Sequence, residues 1–426
     1  MPKSIYANSL CRSGAKCLPS SHIPICKGLV LHDSHAEILA IRAFNYWLLN
    51  ECHGVLASPE PESPSPYIRR LKHTRSNEHW PPLELYPDVR VYMYCTCAPC
   101  GDASMELCMA AQEDPTPWEL PPALENGHET QDAALSGRAH FSLLGAVRRK
   151  PARMDAESTR SKSCSDKLAL RQVSSLLSRE TSLLVAPTEN AYLEGIVLPE
   201  EEISQVACER AFGAVGRMRE LNERTWPLRS SSHDHDPEHA YAYSFRPFKI
   251  HTIPAGQIEK IWPFRKSLPK PSGPVKKAKP ANTSVIWTIA PSHHIPIPDH
   301  NPKSLPKLRG SNTGLYETVI SGAKQGSRAT TPSARGASAL SRARLWALVR
   351  NLLLVVQEQG QNTSLWREVL DSSTYSEFKV GASGVREQAI QDARKVLKGW
   401  IPNTGDEEWG LDVLIDPKKQ KRKHVT

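Results

Sequence analysis

Two short stretches carry side chains whose types and spacing could do chemistry. His35 and Glu37 stand two residues apart in LHDSHAEILAIRAF, residues 31–44, and Cys97 and Cys100 have C-x-x-C spacing in CTCAPCGDAS, residues 95–104. Imidazole and thiolate are good zinc donors, and a carboxylate beside them can move a proton to or from water held at the metal. Each signal is weak alone. A glutamate in the first turn of a helix is favoured by the macrodipole, and H-x-E is too short to be specific. C-x-x-C is the obvious local zinc spacing. The strand and turn expected there would, however, put Cys97 behind the site, packed in the core as a small apolar residue. Spacing therefore leaves the third ligand open between Cys97 and a remote cysteine such as Cys164 in SKSCSDKLAL, residues 161–170.

The flanking residues say which elements must hold these groups. Ile38, Leu39, Ile41, Phe44, Trp47 and Leu48 recur at helical intervals, which predicts an amphipathic helix with one face on a core, N-capped by Asp33 or Ser34. Val91 to Thr96 is β-branched and aromatic, which predicts a buried strand, and Pro99 suits the start of a helix running through Met105, Leu107, Cys108 and Met109. Leu168, Val173, Leu176 and Leu177 continue a third helical pattern from Cys164. Helix N-termini converging on one point create a positive field that favours thiolate over thiol. Zinc with three protein ligands and one open position lowers the pKa of its water from above 15 to about 7. Glu37 would then serve as the proton carrier rather than as a ligand.

The chain has 426 residues, 39% of them hydrophobic, enough for a sizeable core. Its 35 prolines are clustered, and residues 56–82, 114–131, 230–238 and 263–282 read as solvated insertions. Residues 324–338 are rich in Ser, Thr, Gly and Ala. What remains, about three hundred residues, suits one elaborated domain over residues 1–416 followed by the basic tail 417–426. A net charge of +9 suits a polyanionic partner, and the tail suits nuclear import, a nucleic-acid contact or a solvated end. No stretch resembles a signal peptide or a bilayer span, so the ten cysteines are expected to be reduced, in the nucleus or cytoplasm.

HAE, PCGDAS and SCSDKLAL, in that order, resemble the adenosine deaminase domain shared by the tRNA-specific adenosine deaminase 1 family and the double-stranded-RNA adenosine deaminases. The resemblance runs from about Ser9 to Trp400 and is strongest to fungal members of the tRNA branch. It implies an α/β fold, with a three-layer α/β/α cytidine-deaminase-like core, a mixed sheet carrying the zinc-binding helices, and a C-terminal helical elaboration. It also implies zinc ligands His35, Cys100 and Cys164 with Glu37 as catalytic proton shuttle, which decides against Cys97. With only 34 residues ahead of His35, a double-stranded-RNA-binding module is not expected, which points to the tRNA branch. That branch converts adenosine to inosine next to the anticodon of alanine tRNA: water attacks C6 of a flipped-out adenine and ammonia leaves.

Other residues are carried over by motif. Arg148, Arg149, Lys150 and Arg153 in RRKPAR resemble the family's R-x-K-P-G-R strip, and Lys16 in SGAKC resembles its T-G-x-K-C loop; both are expected to contact RNA. The family buries inositol hexakisphosphate, for which Arg42, Lys167, Arg171, Lys324, Tyr375, Lys379 and Trp400 are the candidates. Arg171 and Arg386 stand where relatives often have Trp and Gln, which keeps or adds positive charge. The family's first helix and strands have no counterpart ahead of Ser13, so a truncated, non-catalytic RNA-binding relative is the competing expectation. A structural zinc site on Cys97 and Cys100 is a third. A free-nucleoside deaminase fits the size and basic strip less well.

Overall fold

The computed structural model describes residues 16–58, 64–71, 81–110, 135–137, 143–150, 157–227, 242–261, 281–293, 314–358, 364–382 and 384–415. Ser13, Arg153, the tail and most of the expected insertions lie outside them.

Helix α1, Ala36–Ala57, runs through the centre. The sequence predicts one buried face, yet every residue from Trp47 to Leu56 is buried, as befits a helix surrounded by protein. Its inward polar groups are satisfied. Asn45 donates to the carbonyls of Ile41 and Leu176, and Glu51 accepts from Ser65 Oγ at 2.6 Å and Ser292 N–H at 2.6 Å. Helix α2 is Met105–Ala110, α3 is Cys164–Ser174 and α4 is Gln205–Phe212. After a short helix α5, Ala255–Ile261, the C-terminal part contributes α6, Arg342–Glu358, α7, Ser364–Asp371, α8, Tyr375–Gly381, and α9, Val385–Val396. One hydrophobic cluster joins Leu29 to Leu414 through Trp47, Leu168, Trp346 and Phe378, so the helical C-terminal region completes the core that α1 occupies.

The strands form several sheets. β1, Ile68–Arg70, and β2, Leu83–Leu85, make an antiparallel pair. β3, Val91–Tyr94, β6, Leu193–Pro199, and β9, Lys249–Ile253, make a parallel sheet in the order β3-β6-β9. Between β3 and β6 lie β4, Leu135–Ser136, and β5, Arg148–Arg149, a parallel pair. β7, Thr225–Pro227, pairs antiparallel with β8, Ala242–Ser244. β10, Thr283–Trp287, β11, Tyr316–Ile320, and β12, Ala323–Lys324, form an antiparallel sheet. The fold is mixed α/β, in several sheets among the described residues. β3 is not the buried strand expected: among the described residues it is an edge, and its alternate residues Tyr92 and Tyr94 are 51% and 37% exposed. Alternation is the mark of a strand with one covered face. No helix among the described residues is long and apolar enough to cross a membrane.

The N-terminal segment is tied to the C-terminal one by Asp406, which accepts from Gly28 N–H at 2.8 Å and pairs with His32 Nε2 at 2.9 Å and Arg342 at 3.3 Å. Burial, then the Arg342 charge, lowers the pKa of His32 despite Asp406. The unfolded chain therefore binds that proton more readily than the folded one. Stability is complete above the ordinary histidine pKa of 6.5 and falls as pH drops through it toward the lowered folded value. A urea midpoint that falls between pH 8 and pH 5.5 more steeply in the wild type than in His32→Gln is the expected result.

Candidate metal and catalytic centre

His35, Cys100 and Cys164 come from three separate segments and meet at one point. Their ligand atoms all lie within 4.8 Å of one another. His35 is the N-cap of α1, in place of the Asp33 or Ser34 expected, and Cys164 is the first residue of α3. Ser163 caps α3 by accepting from Asp166 N–H at 3.1 Å. Cys100 precedes a 3-10 turn, Asp102–Ser104, so α2 starts later than Pro99 suggested. The two converging helix ends are therefore those of α1 and α3.

Close packing of the two cysteine segments explains their small residues. Gly101 has φ +104°, and a Cβ there would sit 2.2 Å from Ser163 Oγ. Ser165 N–H donates to the Cys100 carbonyl at 3.0 Å, Ser165 Oγ donates to the Pro99 carbonyl at 3.0 Å, and Cys164 N–H points at Cys100 Sγ at 3.3 Å. Cys100 Sγ lies 3.7 Å from His35 Nδ1.

The donors compete for protons. The Cys164 thiol hydrogen-bonds to Cys100 and, with Lys150 and His35, outweighs burial to hold Cys100 well below the usual thiol range. Cys164 is pushed up by burial and by that same neighbour. Burial disfavours the His35 imidazolium, but the Cys100 thiolate beside it raises its pKa to about 11. An imidazole and two sulfurs gathered around protons that a divalent cation would replace is a donor set that fits zinc. Burial, then the Cys100 charge, raises the Glu37 carboxyl, as suits a proton carrier.

A ring of buried charge backs the ligands. Asp33 Oδ1 accepts from His35 N–H at 3.0 Å, and Asp33 Oδ2 accepts from Lys150 at 2.9 Å, Ser161 Oγ at 3.0 Å and Lys167. Lys150 also reaches Cys164 Sγ at 3.5 Å. Cys17, Asp33 and His35 form a second group with metal-ligand chemistry, but two lysines already neutralise Asp33. Replacing Lys150 by Met should lower folding stability by less than the ~3 kcal/mol of a buried charge left wholly unpaired, since Lys167 still pairs with Asp33. It should also weaken metal binding about 10-fold or more, by removing the cation beside a ligand. Urea midpoints and chelator competition read the two effects.

The other candidates divide. Cys97 is exposed rather than packed in the core and stands outside the ligand group. Arg148 and Lys150 correct the reading of RRKPAR as an RNA-facing strip. Both side chains are buried; Arg148 donates to the carbonyls of Gly137 and Leu143, and Lys150 serves Asp33. Arg149 between them is half-buried, and Lys16 is exposed, with its carbonyl accepting from Ser34 N–H.

Arg42, Arg171 and Tyr375 do converge, joined by Arg386 and by the Glu180 carboxylate. Burial, then Arg386 and Arg42, pulls Arg171 down to about 9. Arg171 and Arg386 both donate to the Leu177 carbonyl, and Arg386 Nε has no hydrogen-bond partner among the described residues. Lys167 serves Asp33, Lys324 pairs with Glu317 at 2.7 Å, and Lys379 pairs with Glu407 at 3.4 Å. Trp400 is half-buried under Lys162 and Arg394. Sequence reading took Asp33 only for a cap and left Glu180 out; only the three-dimensional arrangement shows what they neutralise.

Residues 10–404 match the adenosine-deaminase (editase) domain. The chain is 31% identical over 401 residues to tRNA-specific adenosine deaminase 1 of Schizosaccharomyces pombe, covering 93% of this chain and 83% of that protein. It is 34% identical over 194 residues to tRNA-specific adenosine deaminase 1 of Saccharomyces cerevisiae, 45% of each chain. It is 27% identical over 196 residues to double-stranded RNA-specific editase B2 of Mus musculus, covering 44% of this chain and 24% of that protein. With a domain match that spans both cysteine motifs and the H-A-E helix, the chain belongs to the adenosine-deaminase (editase) domain family.

Proposed function

We propose that the chain is a zinc-dependent hydrolase that converts adenosine to inosine in tRNA, with the adenosine next to the anticodon of alanine tRNA as its target. The observation that carries this reading is the convergence of His35, Cys100 and Cys164, with Glu37 one helical half-turn along α1. Zinc held by those three side chains would supply Lewis acidity, bringing the pKa of a bound water to about 7. Glu37 takes the proton released by the attacking water and returns it to the ring nitrogen and the departing ammonia. Adenosine and water give inosine and ammonia, so no other reactant is required. The anticodon loop suits the reaction because its bases are already partly unstacked and cost little to flip. A three-layer α/β/α core in one domain is part of the same proposal.

The non-catalytic reading is not favoured, because the ligand group and Glu37 are all retained. Comparing alanine tRNA, a perfect RNA duplex and free adenosine as substrates tests the substrate class. Inosine in the tRNA alone is expected; equal turnover of free adenosine would overturn it.

Inositol hexakisphosphate is proposed for the cluster of Arg42, Arg171, Arg386 and Tyr375, with Lys167 and Lys379 nearby on their helices. Three arginines, Arg42, Arg171 and Arg386, each lowered in pKa by burial and gathered around Glu180, favour a polyanion, since desolvated charge is tolerated only when paired. Phosphate analysis of the denatured protein should then yield about six phosphates per chain. Arg171→Ala should lower both that content and the melting temperature.

A further inference from the structure

Each cysteine of the metal centre is followed two residues later by an aspartate: Cys100 by Asp102 and Cys164 by Asp166. Both carboxylates are buried, and neither faces the metal donors. Asp102 Oδ1 accepts from Arg210 Nε at 3.0 Å and from Gly145 N–H at 2.7 Å. Asp166 accepts from an Arg217 guanidinium nitrogen at 2.6 Å through Oδ1 and from Arg148 N–H at 3.0 Å through Oδ2. The two arginines are joined in turn. Arg217 N–H donates to the Arg210 carbonyl at 2.8 Å across a turn at Gly216, where a Cβ would lie 2.4 Å from that same carbonyl oxygen. Arg210 also donates to the Asp102 carbonyl at 2.9 Å and to Glu106 at 2.6 Å.

Two ligand segments that are 64 residues apart in sequence are thus held by the end of α4 and the turn that follows it, which carry a guanidinium for each. The side chains of Asp166, Asp102 and Arg217 are 0%, 2% and 5% exposed, so these ion pairs are little screened by solvent. We propose that Arg210 and Arg217 are positioning residues that fix the separation of the Cys100 and Cys164 sulfurs by clamping Asp102 and Asp166. The inference rests on the reading of His35, Cys100 and Cys164 as a metal centre. Both guanidinium groups bond the aspartates rather than the sulfurs. Their effect on catalysis would pass through metal affinity and ligand geometry, as outer hydrogen-bond partners of metal ligands commonly act.

The test is cobalt binding by metal-depleted full-length protein, with affinity from chelator competition and geometry from the visible cobalt bands. Arg217→Met and Arg210→Met are each expected to bind cobalt about 10- to 100-fold more weakly, with shifted visible bands. Arg217→Lys should recover part of the affinity by restoring one N–H to Asp166. Arg69→Met, which removes the Arg69 to Glu84 pair of β1 and β2, serves as the destabilised control and should leave affinity unchanged. Should Arg217→Met fail to fold, Arg210→Met, at a more exposed position, decides. Wild-type affinity and bands in the folded arginine variants would overturn the clamp. A wild type lacking the near-ultraviolet thiolate-to-cobalt band would overturn the metal reading itself, and the clamp with it.

Discussion

Glu37→Gln is expected to lower inosine formation by about 10³-fold or more while zinc stays bound. The amide is nearly isosteric with the carboxylate and keeps the first turn of α1 intact, but it cannot accept a proton from water or return one to the leaving ammonia. Burial and the Cys100 thiolate raise the affinity of the Glu37 carboxyl for a proton, which is the property that the transfer requires and the amide lacks. Because Glu37 is not a member of the ligand group, metal content should match the wild type. Loss of zinc from a folded Glu37→Gln protein would instead make Glu37 a ligand and change the mechanism.

The second large effect separates two cysteines that spacing alone could not. Cys164→Ser should release the metal and abolish inosine formation, whereas Cys97→Ser should retain both. Cys164 is buried at the first position of α3, its backbone N–H directed at Cys100 Sγ, and Lys150 stands beside its sulfur. A serine there offers a poor ligand at neutral pH. Cys97 is exposed and lies outside the group of converging donors. Metal analysis of the two purified variants decides the matter, and metal loss from Cys97→Ser alone would support a local C-x-x-C site.

Much of the centre was legible in the sequence because its ligands sit in short segments with strong local signals. H-A-E ahead of an apolar helical run, and Cys164 at the head of the pattern Leu168, Val173, Leu176 and Leu177, announce helices by residue type and spacing alone. The third ligand was not legible from spacing: 64 residues separate Cys100 from Cys164, and contacts that spacing does not show bring them together, among them the packing of Gly101 against Ser163 and the hydrogen bond from Ser165 N–H to the Cys100 carbonyl. Burial was the harder quantity. RRKPAR looks like a surface strip because its charge is visible and its partners are not; Asp33, distant in sequence, is what draws Lys150 inside. For the same reason α1 read as amphipathic, since Asn45 and Glu51 look solvent-facing until their internal partners are known. The exposed tyrosines of β3 failed in the opposite sense, because aromatic content signals a strand without saying whether both faces are covered.

The most direct measurement is inosine at the anticodon-adjacent adenosine of alanine tRNA after incubation with the purified, zinc-quantified full-length chain. Stoichiometric zinc with inosine formed by the wild type, and none formed by Glu37→Gln, is the expected result. A folded, zinc-loaded wild type that forms no inosine would contradict the assignment of this centre as a tRNA adenosine deaminase.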